Sequence, residues 1–159
     1  MFRIGYGNDK HRLAAGERLM IGGVEVPSDL GAVGHSDADV VLHAVTDALL
    51  GAIAAGDIGT HFPNSDERWK DAESFTFLGH ASDLVKGKGF TVANIDITIE
   101  LELPKLRPFI AEMRSKLAEK LKIDTDQISI KAKTGEGIGE IGERKAIAAT
   151  AVVLLQKKQ

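Results

Sequence analysis

The ten residues Ala146 to Leu155 carry no charge and a single polar side chain, Thr150. Such a run is too short for the roughly 20 residues of a membrane-spanning helix. Read as a strand, it presents apolar side chains on both faces, and both then require cover. Helices layered on one face of a sheet would cover one side only, so the other is expected to be buried against a second subunit. This segment therefore predicts a sheet protein that assembles.

The rest of the chain supplies neighbours for that strand. Phe2, Ile4 and Tyr6 alternate as in a strand, and Leu19 to Val26 forms a second short run interrupted by Gly22-Gly23, a pair suited to a hairpin turn or bulge. Pro27 to Asp37 reads as a loop. From Asp39 to Ala55, the residues Val40, Leu42, Ala44, Val45, Leu49, Leu50 and Ile53 recur at helical spacing, and Asp39, His43 and Asp47 step by four into one polar stripe. Ser36 or Asp37 is placed to cap this helix at its start, and Gly56 at its end. Ala72 to Lys86 predicts a second helix, Phe90 to Leu103 a strand ended by Pro104, Pro108 to Leu121 a third helix, and Ile128 to Lys133 a further strand. Their irregular alternation predicts an α+β fold: a mixed β-sheet with helices layered on one face, in a ferredoxin-like arrangement. There is no internal repeat or low-complexity linker, and residues 1–159 read as one domain.

Composition removes several classes of chemistry. The chain has no cysteine, so disulfides, thiolate metal sites and a cysteine nucleophile are excluded, and any metal must be held by His, Asp and Glu. A net charge of -3 and 5% aromatic residues offer neither a basic face for a nucleic-acid backbone nor many stacking platforms. Neither nucleic acid nor a membrane is expected as a partner. Met1 to Gly5 shows no basic leader and no cleavage site, which predicts a cytoplasmic protein.

Three clusters can carry chemistry. Asp9 and His11, two apart on the first strand, point the same way, and His43 on the first helix can meet them. Three protein ligands leave a fourth tetrahedral position open, as in a catalytic zinc site, and Asp39 or Asp47, one turn from His43, would support it from behind. The same residues also read as loop polars beside a hydrogen-bonded helix histidine. The second cluster, His35-Ser36-Asp37-Ala38-Asp39 after Gly34, reads either as a capping sequence or as a phosphate contact made by His35 and backbone amides, with a cation offsetting the aspartates. In the third, Lys131 to Gly139, a strand meets a glycine-rich turn where Lys133 and Thr134 can bind phosphate oxygens and Glu136 a hard cation such as magnesium. That segment reads equally as a surface hairpin, and it lacks the order of a Walker phosphate loop.

The clusters fall within a longer pattern. Gly5-Tyr6-Gly7-Asn8-Asp9-Lys10-His11-Arg12, His35-Ser36-Asp37-Ala38-Asp39, Leu42-His43-Ala44-Val45-Thr46-Asp47-Ala48-Leu49-Leu50-Gly51, Gly56-Asp57-Ile58-Gly59, Phe62-Pro63-Asn64-Ser65-Asp66, Pro104-Lys105 and Lys131 to Glu136 follow one another across nearly the whole chain. In order and spacing they resemble the 2-C-methyl-D-erythritol 2,4-cyclodiphosphate synthases. The resemblance implies a homotrimer with active sites at the subunit boundaries, and a substrate, 4-diphosphocytidyl-2-C-methyl-D-erythritol 2-phosphate, that is cyclised with release of CMP in non-mevalonate isoprenoid synthesis. It implies that Asp9, His11 and His43 hold Zn2+ and that Glu136 helps place Mg2+, with Mn2+ as a substitute. His35 and Thr134 take the positions that steady the transition state. Ser36, Asp57, Ile58, Gly59, Phe62, Pro63, Asn64, Ser65 and Asp66 would line the methylerythritol phosphate pocket beside Asp9, His11 and His35. Leu101, Lys105, Leu106, Arg107, Ala132, Lys133, Thr134, Gly135 and Glu136 would hold the cytidine and its phosphates from the neighbouring subunit.

An attacking phosphate is already an anion, so such a reaction needs positioning and charge neutralisation, not a strong base. This agrees with the lack of a nucleophilic triad. A zinc-dependent phosphoanhydride hydrolase and a trimeric, non-catalytic nucleotide-binding protein are the rival readings. The sequence also departs from the family's common pattern. Asn64 stands where an Asp is common and Lys133 where Thr is common. Many relatives read Gly-Arg-Gly-Glu before the final strand, with the arginine and an apolar residue three places earlier facing the trimer axis, where an isoprenoid diphosphate can lodge; here Glu143 and Glu140 occupy those positions. Carboxylates gathered there would repel a diphosphate unless cations pair with them.

Overall fold

The structure, a computed structural model, describes residues 1–158. Its strands are β1 (Phe2–Ala15), β2 (Met20–Ile21), β3 (Val24–Glu25), β4 (Leu30–Val33), β5 (Phe90–Glu100), β6 (Ile128–Lys133) and β7 (Ala146–Lys157). Its helices are α1 (Val40–Ala52), α2 (Ile58–His61), α3 (Ser74–Gly87), α4 (Ile110–Leu121) and α5 (Gly139–Gly142). Five strands form one sheet in the order β4-β1-β7-β5-β6, antiparallel except for the parallel pair β5 and β6, while β2 and β3 form a separate hairpin. Helix-bearing connections and a mixed sheet make this an α+β fold. No helix among the described residues is long and apolar enough to cross a membrane.

The register explains the layering. Ile95, Ile97 and Ile99 of β5 lie beside Val153, Ala151 and Ala149 of β7, and all six side chains are buried under the helices. Burying each large aliphatic side chain stabilises the fold by roughly 1.5–3 kcal/mol. Helix α1 crosses β1 and β7, and α3 and α4 continue the layer over β5 and β6. Gly5 and Gly7 let α1 lie directly on β1: a Cβ on Gly5 would fall 1.8 Å from the Ala48 carbonyl oxygen, and one on Gly7 2.1 Å from that of Ala44. Any side chain there would push the helix off the strand.

On the opposite face of the sheet the alternate residues have no cover. Phe2, Ile4 and Tyr6 are 66%, 72% and 60% exposed, and Val152, the register partner of Tyr6, is 41% exposed. Asp96 and Lys131 form an ion pair further across this sheet.

The elements differ from the sequence expectations in several places. The stretch Pro27 to Asp37, expected as loop, contains β4, which pairs with the far end of β1. The N-cap of α1 is Asp39, not Ser36 or Asp37: its carboxylate accepts the amides of Val41 and Leu42, both at 3.1 Å. The helix ends at Ala52 with Ile53 as its cap, so Gly56 lies beyond it, and Ala54 adopts the left-handed turn at φ 54°. Strand β5 ends at Glu100, short of Leu103. Glu140 and Glu143 precede the final strand on and just after the short helix α5, where Glu140 pairs with Lys10 at 2.5 Å and Glu143 pairs with Lys145. Arg144 pairs with Asp29.

Candidate active site

Alternation along β1 sends Asp9 and His11 to the helix side, and the first turn of α1 brings His43 down to meet them. Asp9 Oδ2 lies 2.7 Å from His11 Nε2 and 3.0 Å from His43 Nδ1, and the two imidazole nitrogens are 3.3 Å apart. The opposite nitrogens are held as well. His11 Nδ1 donates to the Val33 carbonyl at 3.1 Å, and His43 Nε2 lies 2.8 Å from Ser74 Oγ and 3.1 Å from Ser36 Oγ. These bonds turn one ring nitrogen of each histidine toward Asp9. One oxygen and two nitrogens thus converge within 4.8 Å of one another, the only such cluster of three metal-ligating groups among the described residues.

The electrostatics agree with a cation site. Burial works to raise the Asp9 pKa, but hydrogen bonds and charge from His11 and His43 outweigh it and hold the carboxyl at about 2. Burial disfavours charged His11, and Asp9 overrides that to shift the imidazole upward. A cation entering between them would take over the stabilising role that the histidine protons play without it.

Asp39 and Asp47 continue the polar stripe of α1, but their hydrogen bonds lead elsewhere. The fully buried Asp39 carboxylate also accepts the amides of Gly22 at 2.9 Å and Gly23 at 2.7 Å, joining the β2–β3 turn to the start of α1. Asp47 accepts the Ile58 amide at 2.7 Å and so fastens α2 to α1; burial raises its pKa, opposed in part by that bond.

A cavity of about 490 Å³ opens beside the triad, lined by Asp9, His11, His35, Ser36, His43, Ile58, Gly59, Phe62, Pro63 and Asn64 together with Gly34, Trp69 and Phe77. Its apolar wall is an aromatic cluster in which Phe62 meets Trp69 edge-on at 5.0 Å and Phe77 at 4.5 Å between ring centroids. Asp57, Ser65 and Asp66 lie outside the lining. Asp57 caps α2 by accepting the Thr60 amide, and Asp66 pairs with Arg68.

A second cavity, about 700 Å³, is lined by Leu101, Lys105, Leu106, Arg107, Ala132, Lys133 and Thr134, with Pro104, Ile110, Ile130 and Lys131. Gly135 and Glu136 lie next to it. Thr134 Oγ donates to the Glu136 carboxylate at 3.2 Å, and the Gly135 amide donates to Glu102 at 2.7 Å. The two cavities share no residue. Asp9 is in register with Ala149, Ala149 with Ile99, and Ile99 with Ala132. Three strand spacings, about 14 Å, therefore separate the triad from the second cavity along one edge-to-edge row of the sheet.

Sequence reasoning missed Ser74, Trp69 and Phe77. Phe77 lies within a helical apolar pattern and Ser74 at a helix start, positions explained by packing and capping alone, so nothing in the sequence separated them from ordinary helix residues.

The model of the YgbB family matches residues 2–156. A protein of Bacillus pumilus named 2-C-methyl-D-erythritol 2,4-cyclodiphosphate synthase is 54% identical over 158 residues, covering 99% of this chain and 100% of that protein. The bifunctional enzyme IspD/IspF of Albidiferax ferrireducens is 53% identical over 156 residues, and this chain spans 98% of its own length but only 37% of that enzyme. A solved 2C-methyl-D-erythritol-2,4-cyclodiphosphate synthase in a CDP-bound form, 40% identical, superposes with a TM-score of 0.90 over 97% of this chain and 100% of that one. With a family model spanning β1 to β7 and relatives above half identity over nearly the whole chain, the chain belongs to the YgbB family.

Proposed function

We propose that this protein converts 4-diphosphocytidyl-2-C-methyl-D-erythritol 2-phosphate to 2-C-methyl-D-erythritol 2,4-cyclodiphosphate and CMP, within non-mevalonate isoprenoid synthesis. The observation that carries this reading is the convergence of Asp9, His11 and His43 at the rim of a cavity walled by His35, Ser36 and the Phe62 to Asn64 segment. Their donor set, one carboxylate oxygen and two imidazole nitrogens with their far sides hydrogen-bonded, suits zinc with a position left open. When bound there, and with magnesium near Glu136, cations would supply the positive charge that offsets repulsion between the phosphates.

The chain's own residues supply the rest. His35 Nε2 is buried without a hydrogen-bond partner among the described residues, which suits donation to a phosphate oxygen. Lys105 and Lys133 form no ion pair among the described residues and are free to hold phosphates, while Thr134 is oriented by Glu136. In the reaction, an oxygen of the 2-phosphate bonds to the β-phosphorus as the bond from that phosphorus to the bridging oxygen breaks, and CMP leaves with the bridging oxygen. Holding the two phosphates in line is the main task. Asn64 keeps one hydrogen-bonding oxygen where a carboxylate is common, so a weaker hydroxyl contact is expected there.

Assembly follows from the uncovered sheet face. Phe2, Ile4, Tyr6 and Val152 would be buried in a homotrimer of these ferredoxin-like subunits, and the first cavity of one subunit would meet the second cavity of its neighbour. The relative solved in a CDP-bound form supports a cytidine nucleotide as part of the substrate. Near the axis, the Lys10–Glu140 and Glu143–Lys145 pairs would leave little net positive charge to hold an isoprenoid diphosphate.

Phosphorus NMR of the protein with substrate, zinc and magnesium tests the activity. The expected products are a cyclic diphosphate and CMP in equal amounts. A linear diphosphate would mark a hydrolase instead, and tight nucleotide binding without turnover a binding protein.

A further inference from the structure

His43 faces Asp9 through Nδ1, and its other nitrogen enters a chain of hydrogen bonds that runs away from the cavity to the start of α3. Ser74 Oγ, 2.8 Å from His43 Nε2, belongs to a fully buried side chain at the first position of α3. The Ser74 hydroxyl has one proton to give, and it goes to the Asp37 carboxylate. Ser74 must then accept from His43, which keeps a ring proton on Nε2 and turns Nδ1, the nitrogen that meets Asp9, toward the cluster as the one free to serve a cation.

Asp37 is held in turn. Its Oδ1 takes the Asp39 amide at 3.2 Å, its Oδ2 takes the Ser74 amide at 3.0 Å, and its own amide donates to the Ala72 carbonyl at 3.2 Å. Helix α3 also packs Phe77 against His43, with ring centroids 6.0 Å apart. One helix thus supplies both the packing surface and the nearer hydroxyl for the imidazole, at 2.8 Å against 3.1 Å for Ser36 Oγ. Glu73, the residue at the N-cap of α3, makes no side-chain capping bond, so Asp37 serves two ends at once: the start of α3 and, through Ser74, the metal corner.

We infer that Asp37 and Ser74 are positioning residues for His43, fixing its tautomer and ring plane so that Nδ1 is a competent ligand. The inference rests on Asp9, His11 and His43 being a cation site. Partners of this kind, behind a ligating histidine, alter metal affinity by about 10–100-fold. A role limited to capping α3 would instead change stability and leave affinity alone.

The test is competition titration of the full-length protein with zinc, together with the visible absorption spectrum of the cobalt-loaded form and thermal unfolding of the metal-free form. Ser74→Ala and Asp37→Asn are each expected to weaken zinc binding about 10–100-fold and to alter the cobalt bands. Ser74→Thr, which keeps the hydroxyl, should restore both. Because the two residues act in series, the double variant should bind little worse than either single one. Zinc affinity and cobalt bands unchanged in folded Ser74→Ala and Asp37→Asn would overturn the inference alone, as would losses that add fully in the double variant. Failure of the unmodified protein to bind either ion would overturn the inference and the metal reading beneath it.

Discussion

Around the triad, each ligand is held by others: His11 by Val33, His43 by Ser36 and Ser74, and Asp9 by both imidazoles. Around Lys105 and Lys133 no such bracing exists, and these cations project into an open cavity without a carboxylate partner among the described residues. Both regions lie at one end of the same sheet. The first is set by strand register and a helix packed on it, so its geometry exists before any ligand arrives. The second is set by the loop after β5 and the end of β6, and its charges await something negative. A reaction that must hold two phosphates in line benefits from one rigid partner and one adaptable one.

The comparison breaks most visibly if the rigid half tolerates change. His43→Ala is expected to abolish tight zinc binding and lower turnover by about 1,000-fold, the scale of removing a group that stabilises developing charge. Metal analysis beside steady-state kinetics checks this, and one tightly bound zinc per chain in the variant would contradict it. In the adaptable half the loss should fall on binding. Lys105→Ala and Lys133→Ala are each expected to raise KM about 10- to 100-fold, the worth of a hydrogen bond to a charged group, with kcat changing less. Mixing the Lys105→Ala/Lys133→Ala protein with His43→Ala should regain some activity if the halves meet across subunits, and inactive mixed assemblies would argue that each site is built within one chain.

Stability separates the regions further. Asp39→Asn puts an amide where a buried carboxylate accepts four backbone N–H groups, and a loss of about 1–3 kcal/mol is expected in urea unfolding. The smallest effect concerns Asp47. Its folded pKa is raised, so its contribution to stability is lost as pH rises from 3.8 through the folded value. In metal-free protein, Asp47→Asn should therefore match the parent below that window and gain slightly on it at pH 7, since Asn still accepts the Ile58 amide. Paired unfolding curves at both pH values check the sign, and a variant that loses ground at neutral pH would reverse it.

What the sequence made legible follows the same division. The triad was readable because period two on a strand and period four on a helix determine which side chains can meet, and Asp9, His11 and His43 obey both. The strand Ile128 to Lys133 was readable to the residue, its ends being marked by apolar alternation. Strand β4 was not: Leu30-Gly31-Ala32-Val33 is short and contains a glycine, and it forms because β1 extends far enough to pair with it. Asp39 was misjudged as a support for His43 because a shared helix face does not reveal that the β2–β3 turn offers its amides to the same carboxylate. The Ser74–His43 bond spans 31 residues and no periodicity announces it. Family resemblance, not spacing, placed Lys105 and Lys133 together.

At Gly5 and Gly7 main chain rests on main chain, so the gap between β1 and α1 is gauged by atoms that have no rotamers. Side chains elsewhere in the core can be exchanged or can fluctuate without altering that gauge. Warming or repacking the interior should therefore soften the protein well before it detunes the spacing of Asp9, His11 and His43, so selectivity for an ion would outlast much of the stability that surrounds it.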